Sequence, residues 1–194
     1  GTGVWRPKKL GIPGESLGHV HFAIDYLVDP DVYDLGDDVA VIGAGNSAMD
    51  VARTALRKGA KHVTILCRSD RPAASVEFLY GIHSERITDA GVEYRQATFD
   101  ENGQVTAMGE PALFSADSVI IAVSQGPKDK IVNTTHGLNT TDHGLLATDE
   151  TGHTSRPGIF ASGDVVLGAR TVVEAVKYSK TVAAAMDEYL QSLN

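Results

Sequence analysis

In Gly43-Ala44-Gly45-Asn46-Ser47-Ala48 the residue types and spacing point to chemistry done by main-chain groups rather than by side chains. The first glycine permits a tight turn from strand to helix, and the second lets the backbone approach a pyrophosphate. The small Ala48 lets the helix pack closely on the strand. A helix opening at this point offers free N–H groups and the positive end of its dipole to phosphates. On its own GxGxxA is a weak signal. Its flanks strengthen it, because an apolar run precedes it and a helical pattern follows. The competing reading is a structural turn with no ligand.

The nucleotide such a turn would hold is selected at the end of the next strand. His62-Val63-Thr64-Ile65-Leu66-Cys67 exits into Arg68-Ser69-Asp70-Arg71. An acidic residue there would hold a ribose 2′-OH, as in NAD sites, whereas a 2′-phosphate needs a cation. The planar guanidinium groups of Arg68 and Arg71 suit bidentate phosphate contact. They favour NADP(H), with Ser69 adding a hydroxyl, while Asp70 keeps NAD(H) open. A solvated charged turn is the bland alternative.

These residues need a βαβ frame. Val39-Ala40-Val41-Ile42 reads as a strand buried on both faces. A helix follows from about Ser47, with Ser47 and Asp50 at capping-box spacing and Met49, Ala52, Ala55 and Leu56 at helical spacing. Arg57-Lys58-Gly59 supplies cations and then a stop. Val63 to Cys67 is the second buried strand, which should lie parallel to the first. Beyond it we expect a helix over 75–90, then strands over 92–99 and 104–108 around the hairpin signal Asp100-Glu101-Asn102-Gly103. Ser118 to Val123 contains a further apolar strand. Leu145 to Thr148 and Gly158 to Ser162 also read as strands, with a turn at Asp149-Glu150-Thr151-Gly152. A long helix should start near Thr171, where Thr171 and Glu174 have capping-box spacing. Val173, Val176, Ala183, Met186 and Leu190 would be its buried stripe. Residues 1–35 are loop-rich, punctuated by Pro7, Gly11, Pro13, Gly14 and Gly18.

Composition limits the field. Hydrophobic residues are 42 % and charged residues 22 %, the balance of a folded domain rather than a disordered tail. A net charge of −8 and a pI near 5.3 argue against nucleic-acid or anionic-membrane binding. The single cysteine, Cys67, excludes within this chain a disulfide framework, a CxxC pair and a cysteine-based zinc site. No apolar run approaches the ~20 residues of a membrane span. The start of the chain lacks the basic-then-apolar layout of a signal peptide. The expectation is a cytoplasmic protein or a piece of one.

Gly158-Ile159-Phe160-Ala161-Ser162-Gly163-Asp164 ends on a carboxylate able to accept hydrogen bonds from a polyol. The helix start at Thr171 favours negative charge above it. Both suit a flavin, with ribityl hydroxyls on Asp164 and the N1–C2=O edge of the ring at Thr171-Val172. Taken alone, Gly-Asp after a strand is a common turn.

The segment "PGIFASGDVV…ARTVVEAV" resembles the second flavin-contact motif of the flavoprotein reductases with two dinucleotide-binding domains. "SVIIAVSQGP" (Ser118–Pro127) is similar to the stretch by which their NAD(P) domain hands back to the flavin domain. Thr2-Gly3, Pro7 and "LGIPGE" (Leu10–Glu15) resemble the segment on the other side. Together with "GAGNSAMDVARTALRKGAKHVTILCRSDR", these mark a resemblance to the small (beta) subunit family of glutamate synthase over nearly the whole chain. Thioredoxin reductases share the architecture but carry a CxxC that this chain lacks.

The resemblance implies an α/β fold, a Rossmann-like NAD(P)-binding domain (36–126) inserted in a partial FAD-binding Rossmann-like domain (1–35 and 127–194). It also implies a C-terminal fragment of a longer flavoprotein, because the family's first FAD fingerprint should precede Thr2 and its iron–sulfur cysteines are not in this sequence. The implied activity is that of an FAD-dependent NAD(P)H oxidoreductase: hydride from NADPH to FAD, then electrons onward to a larger electron-accepting subunit. Such a step needs stacking and orientation more than a side-chain acid or base, so no catalytic residue is named. Gly43, Gly45, Asn46, Ser47, Arg68 and Arg71 are the expected nicotinamide-dinucleotide contacts. By resemblance, Gly163, Asp164, Thr171 and Val172 are FAD contacts, with Thr2 and Gly3 behind them, and Gln125 and Gly126 lie in the turn near nicotinamide and flavin. Trp5 either lines the flavin ring or packs. The fragment alone is expected to be inactive and to bind FAD weakly. His19 and His21 have no third ligand at metal-site spacing and read as surface histidines. A self-contained NAD(P)-dependent dehydrogenase and a non-enzymatic nucleotide-binding module are the alternatives. Against the first, Tyr178-Ser179-Lys180 is not a Tyr-x-x-x-Lys pair.

Overall fold

The computed structural model describes residues 1–68, 76–102, 104–127 and 130–193. Two compact units emerge, Pro7–Ser124 and Gly1–Arg6 with Gln125–Asn194. The chain passes between them at β1 (Arg6–Pro7) and just before β10 (Gln125–Gly126).

The Pro7–Ser124 unit contains β2 (Val20–Phe22), α1 (Ala23–Val28), β3 (Asp38–Ile42), α2 (Asn46–Arg57), β4 (His62–Leu66), β5 (Glu77–Leu79), β6 (Ile82–Thr88), β7 (Gly91–Phe99), β8 (Val105–Ser115) and β9 (Ser118–Ile121). Strands β2-β9-β3-β4-β5 form a sheet in that order, parallel at every pairing, with Val39 opposite Val63 and Ile42 opposite both Leu66 and Ile121. The expected βαβ unit is therefore present. Alternation along β3 sends Val39 and Val41 to one face, where they pack with Ala48, Val51, Ala52 and Ala55 of α2. Ala40 and Ile42 face the other side, where Ile82, Ile87, Val92 and Ala116 cover them. Both faces are buried, which is why these strands read as unbroken apolar runs.

Residues 7–35 fold with this unit. The physical reason is β2, whose Val20, His21 and Phe22 pair in parallel with Val119, Ile120 and Ile121.

The helix expected over 75–90 is replaced by β5 and β6. Leu79 packs on one face and Phe78 and Tyr80 on the other, a period of two. Gly81, at φ +66°, then turns the chain. Ile82 and Ile87 both reach the core although they are five apart, because a register shift between Ser84 and Arg86 flips the later residues. That bulge disguises the strand in the sequence. The hairpin between β7 and β8 forms as expected, with the Asp100 N–H donating to the Gln104 carbonyl at 2.9 Å.

The other unit holds β10, α3 (Lys130–Thr134), α4 (Asp164–Leu167) and α5 (Val172–Ser192). The strands expected over 145–148 and 158–162 reduce to isolated antiparallel bridges, Thr140–Leu146, Thr148–Thr154 and His153–Phe160. Its buried cluster is small, comprising Leu146, Ala161 and Val165. The stripe expected along α5 is not buried. Val173 is 77 % exposed and Leu190 58 %, and Val176, Ala183 and Met186 are exposed as well. α5 instead buries Val182 and Ala185. It is fastened by Tyr189, whose ring meets Phe160 edge-on at 5.6 Å, and by the Ser179–Ser162 hydroxyl pair at 2.7 Å. No helix among the described residues is long and apolar enough to cross a membrane.

Candidate functional site

Gly43 leaves β3 at φ +139°, the left-handed side of backbone space. Its N–H donates to the Leu66 carbonyl at 3.0 Å, and the Ala122 N–H donates to the Ile42 carbonyl at 2.8 Å. The turn is thus wedged between the ends of β4 and β9. A Cβ at Gly43 would stand 2.4 Å from the Ala122 carbonyl oxygen, so no larger residue fits. Ala122 was not singled out in the sequence, where the available signal is a small residue directly after an apolar strand.

Gly45 is the N-cap of α2, extended at φ −81° and ψ 177°. A Cβ there would meet nothing within 4 Å, which leaves open space before the helix. The N–H groups of Ala48 and Met49 donate back to the Gly45 carbonyl at 3.0 and 3.3 Å. The capping box expected from Ser47 and Asp50 does not form. Ser47 lies inside the first turn, and the N-cap Gly45 makes no side-chain cap hydrogen bond. The first N–H groups of a helix have no intrahelical partner, and the space in front of Gly45, where this helix starts, is open among the described residues. The residues present therefore fit a dinucleotide pyrophosphate.

Gly43, Gly45, Asn46, Ser47 and the exposed Arg68 lie together at the C-terminal edge of one parallel sheet, where open α/β sheets bind ligands. Arg71, with Ser69 and Asp70, lies outside the described residues. The opposite end of the sheet carries an open depression of about 740 Å³ lined by His19, His21, Tyr33 and Asp117 among others. There Asp117 accepts the N–H groups of Asp37 and Asp38, both at 2.9 Å. His21 is half-buried, its ring edge-on to Tyr33 at 4.9 Å. Burial, and then the neighbouring His19, push its pKa below the usual histidine range. No group of three or more His, Cys, Asp or Glu side chains among the described residues is arranged to hold a metal ion.

The second constellation lies in the other unit. Gly163, at φ +77°, precedes the half-buried Asp164, which opens α4. The Thr171–Glu174 capping box forms as expected. The Thr171 hydroxyl donates to Glu174 Oε2 at 2.7 Å and its N–H to the same oxygen at 3.0 Å. These bonds, with Arg170 at 3.4 Å, hold the Glu174 carboxyl below the ordinary range. Both donors of Thr171 are thus engaged, and Val172, the first residue of α5, is 79 % exposed. Gln125 and Gly126 form half-buried β10. Trp5 does not pack into a core. It is 54 % exposed and lies over Gly3, whose added Cβ would meet the indole Nε1 at 2.7 Å.

A parallel sheet whose central strand leads through a glycine-lined turn into the following helix defines a Rossmann-type α/β fold. Residues 1–187 match the pyridine nucleotide-disulphide oxidoreductase family, and the chain belongs to it. It is 32 % identical to the NADP(+)-dependent formate dehydrogenase subunit beta of Moorella thermoacetica, over 98 % of this chain and 31 % of that protein. It is 31 % identical to the glutamate synthase [NADPH] small chain of Azospirillum brasilense, over 98 % of this chain and 48 % of that one. The chain therefore spans between about a third and a half of these curated relatives. Among solved structures, T. acidophilum thioredoxin reductase has the same fold at TM-score 0.72 and 23 % identity, over 99 % of this chain and 64 % of that one.

Proposed function

We propose that this chain is the nicotinamide-dinucleotide-binding part of a flavoprotein oxidoreductase that takes hydride from NADPH. When bound, NADPH supplies the hydride and FAD accepts it for onward transfer. The observation that carries this reading is the glycine turn into α2, with open space at Gly45, beside the exposed cation Arg68. Gly43 makes the turn, Gly45 leaves room for the pyrophosphate, and the positive end of α2, at Asn46 and Ser47, lies toward its charge. The Arg68 guanidinium, with Arg71, takes the 2′-phosphate and selects NADP(H) over NAD(H). In the other unit Asp164 accepts from flavin ribityl hydroxyls, and Gly163 and Val172 N–H present backbone to the flavin. Thr171 acts through its cap, and Gln125 and Gly126 return the chain between the two functions.

The names of the relatives support the NADP(H) preference, and their description as a small chain and a beta subunit supports a larger electron-accepting subunit as partner. The 194-residue chain alone should bind the nucleotide without turning over. Calorimetric titration with NADPH and NADH, after a visible spectrum, tests this. NADPH binding tighter than NADH, with no flavin band, is the expected result. Binding of neither nucleotide reduces GxGxxA to a structural turn, and flavin-free turnover of a substrate restores the self-contained dehydrogenase.

A further inference from the structure

We propose that the depression at the N-terminal end of the parallel sheet binds a small organic cation, an ammonium or guanidinium group on an apolar stem. The site lies at the opposite sheet edge from the glycine turn, so it does not depend on the nucleotide reading. The first residues of β2, β9 and β3 stand side by side there. Along β9, Val119 and Ile121 pack on one face, so Ser118 and Ile120 look to the other. Along β2, Val20 and Phe22 take that same first face, which sends His21 to the side of Ser118. Ser118 is 2 % exposed and lines the depression. Thr64, the other buried polar residue among those described, donates its hydroxyl to Glu77 Oε2 at 3.3 Å. The Ser118 hydroxyl has no hydrogen-bond partner among the described residues. Nor is it sealed, since Tyr26 carries the one fully enclosed unpartnered side-chain oxygen or nitrogen among them. A polar group this deep calls for a partner, and the depression is the space from which one can reach it.

The groups around Ser118 are acceptors. His19 Nε2 stands 3.1 Å from the Thr88 carbonyl, which can only accept, so Nε2 carries the proton and the Nδ1 of the neutral ring accepts. His21 makes no hydrogen bond among the described residues, and burial, with His19 beside it, favours its uncharged form. Asp117 uses Oδ2 for the Asp37 and Asp38 N–H groups, which leaves Oδ1 to accept. Asp34 and Asp37 add carboxylates at the rim, Asp37 also holding Lys61 Nζ at 2.6 Å. No lysine or arginine is among the lining residues. Three carboxylates and two imidazoles, on a chain of net charge −8, attract a cation with several donors. Val32 and Leu35 offer apolar wall to its stem. Tyr33 is fixed by T-shaped contacts to His21 and Tyr26 at 4.9 and 5.4 Å, and an aromatic ring beside a cation adds attraction. The wall at Asp117 is closely built. Gly36, at φ +74°, brings its loop so near that an added Cβ would stand 2.6 Å from Asp117 Cβ.

The test titrates the isotope-labelled full chain with butylguanidinium and butylammonium, with butyrate and butanol as controls, and follows the ring signals of His19 and His21 by NMR. At about pH 8 an unperturbed imidazole is neutral, so both cations should move these signals and neither control should. Ser118→Ala should weaken cation binding by about tenfold, the worth of a hydrogen bond to a charged group. Asp34→Asn should weaken it by about threefold, as for an exposed ion pair, and neither variant should alter NADPH affinity. Nα-acetylarginine amide separates the sources of the cation. Binding as tight as that of butylguanidinium assigns it to a side chain of another protein, and loss of binding assigns it to a free amine or guanidine. Ring signals that neither cation moves, or that butanol moves equally, overturn the site. So does cation binding that Ser118→Ala and Asp34→Asn both leave intact. Should Ser118→Ala not fold, Asp34→Asn, at an exposed position, decides.

Discussion

The two units bury their apolar residues very differently. In Pro7–Ser124 both faces of the parallel sheet are covered, and Val41, Ala40 and Ile65 are wholly inaccessible. In Gln125–Asn194 the buried cluster is three residues, and α5 leaves Val172, Val173 and Leu190 more than half exposed. Their candidate sites differ in the same way. The glycine turn is held between β4 and β9 by bonds that leave its backbone no alternative. The Thr171 turn is held by one local pair, Thr171 and Glu174. A site clamped between strands depends on the whole sheet, whereas a site made by a cap depends on its own helix turn.

The largest expected effect is at Gly43. Gly43→Ala drives a Cβ against the Ala122 carbonyl at positive φ, so it should cost on the order of 4 kcal/mol and abolish NADPH binding. Urea unfolding and calorimetry measure both. If binding survives, the clamped-turn description fails. Core truncation sharpens the contrast. Ile65→Ala should cost about 4 kcal/mol and Leu146→Ala about 2 kcal/mol, since a small, loosely covered cluster collapses more easily. Equal losses in urea unfolding would erase the difference between the units.

Arg68→Ala should weaken NADPH binding by about tenfold or more, the worth of a charged hydrogen bond, and leave NADH binding unchanged. Parallel losses for both nucleotides would remove Arg68 from specificity. Thr171→Ala should cost about 1 kcal/mol of α5 stability, read by far-UV circular dichroism during unfolding, with no change in NADPH affinity. The smallest effect is in pH. The Glu174 carboxyl is held low in the folded chain by the Thr171 hydroxyl and N–H. Its stabilisation is therefore present above the unfolded pKa and disappears as pH falls through the lowered folded value. The stability gap between the unaltered chain and Glu174→Gln should close below about pH 4. A gap that widens in acid would contradict the cap as described.

Much of the first unit was legible in its residues because its signals are local. Val39 to Ile42, the GxGxxA turn, the helix to Arg57 and the strand to Leu66 each announce themselves within a few positions. β5 and β6 did not, since the register shift at Ser84 to Arg86 breaks the alternation by which a strand is read. Ser47 and Asp50 had the right spacing for a cap, but the helix begins earlier, with Gly45 as its N-cap.

By itself the sequence determined the βαβ unit, the glycine turn and the Thr171 cap, because periodicity, backbone freedom and short-range hydrogen bonds are properties of neighbouring residues. Tertiary structure alone decided that residues 7–35 join the Pro7–Ser124 unit through β2, that Ala122 closes on Gly43, and which face of α5 is covered. Each of those depends on which distant segment arrives alongside. An amphipathic stripe states that a face is apolar; only packing partners make it buried.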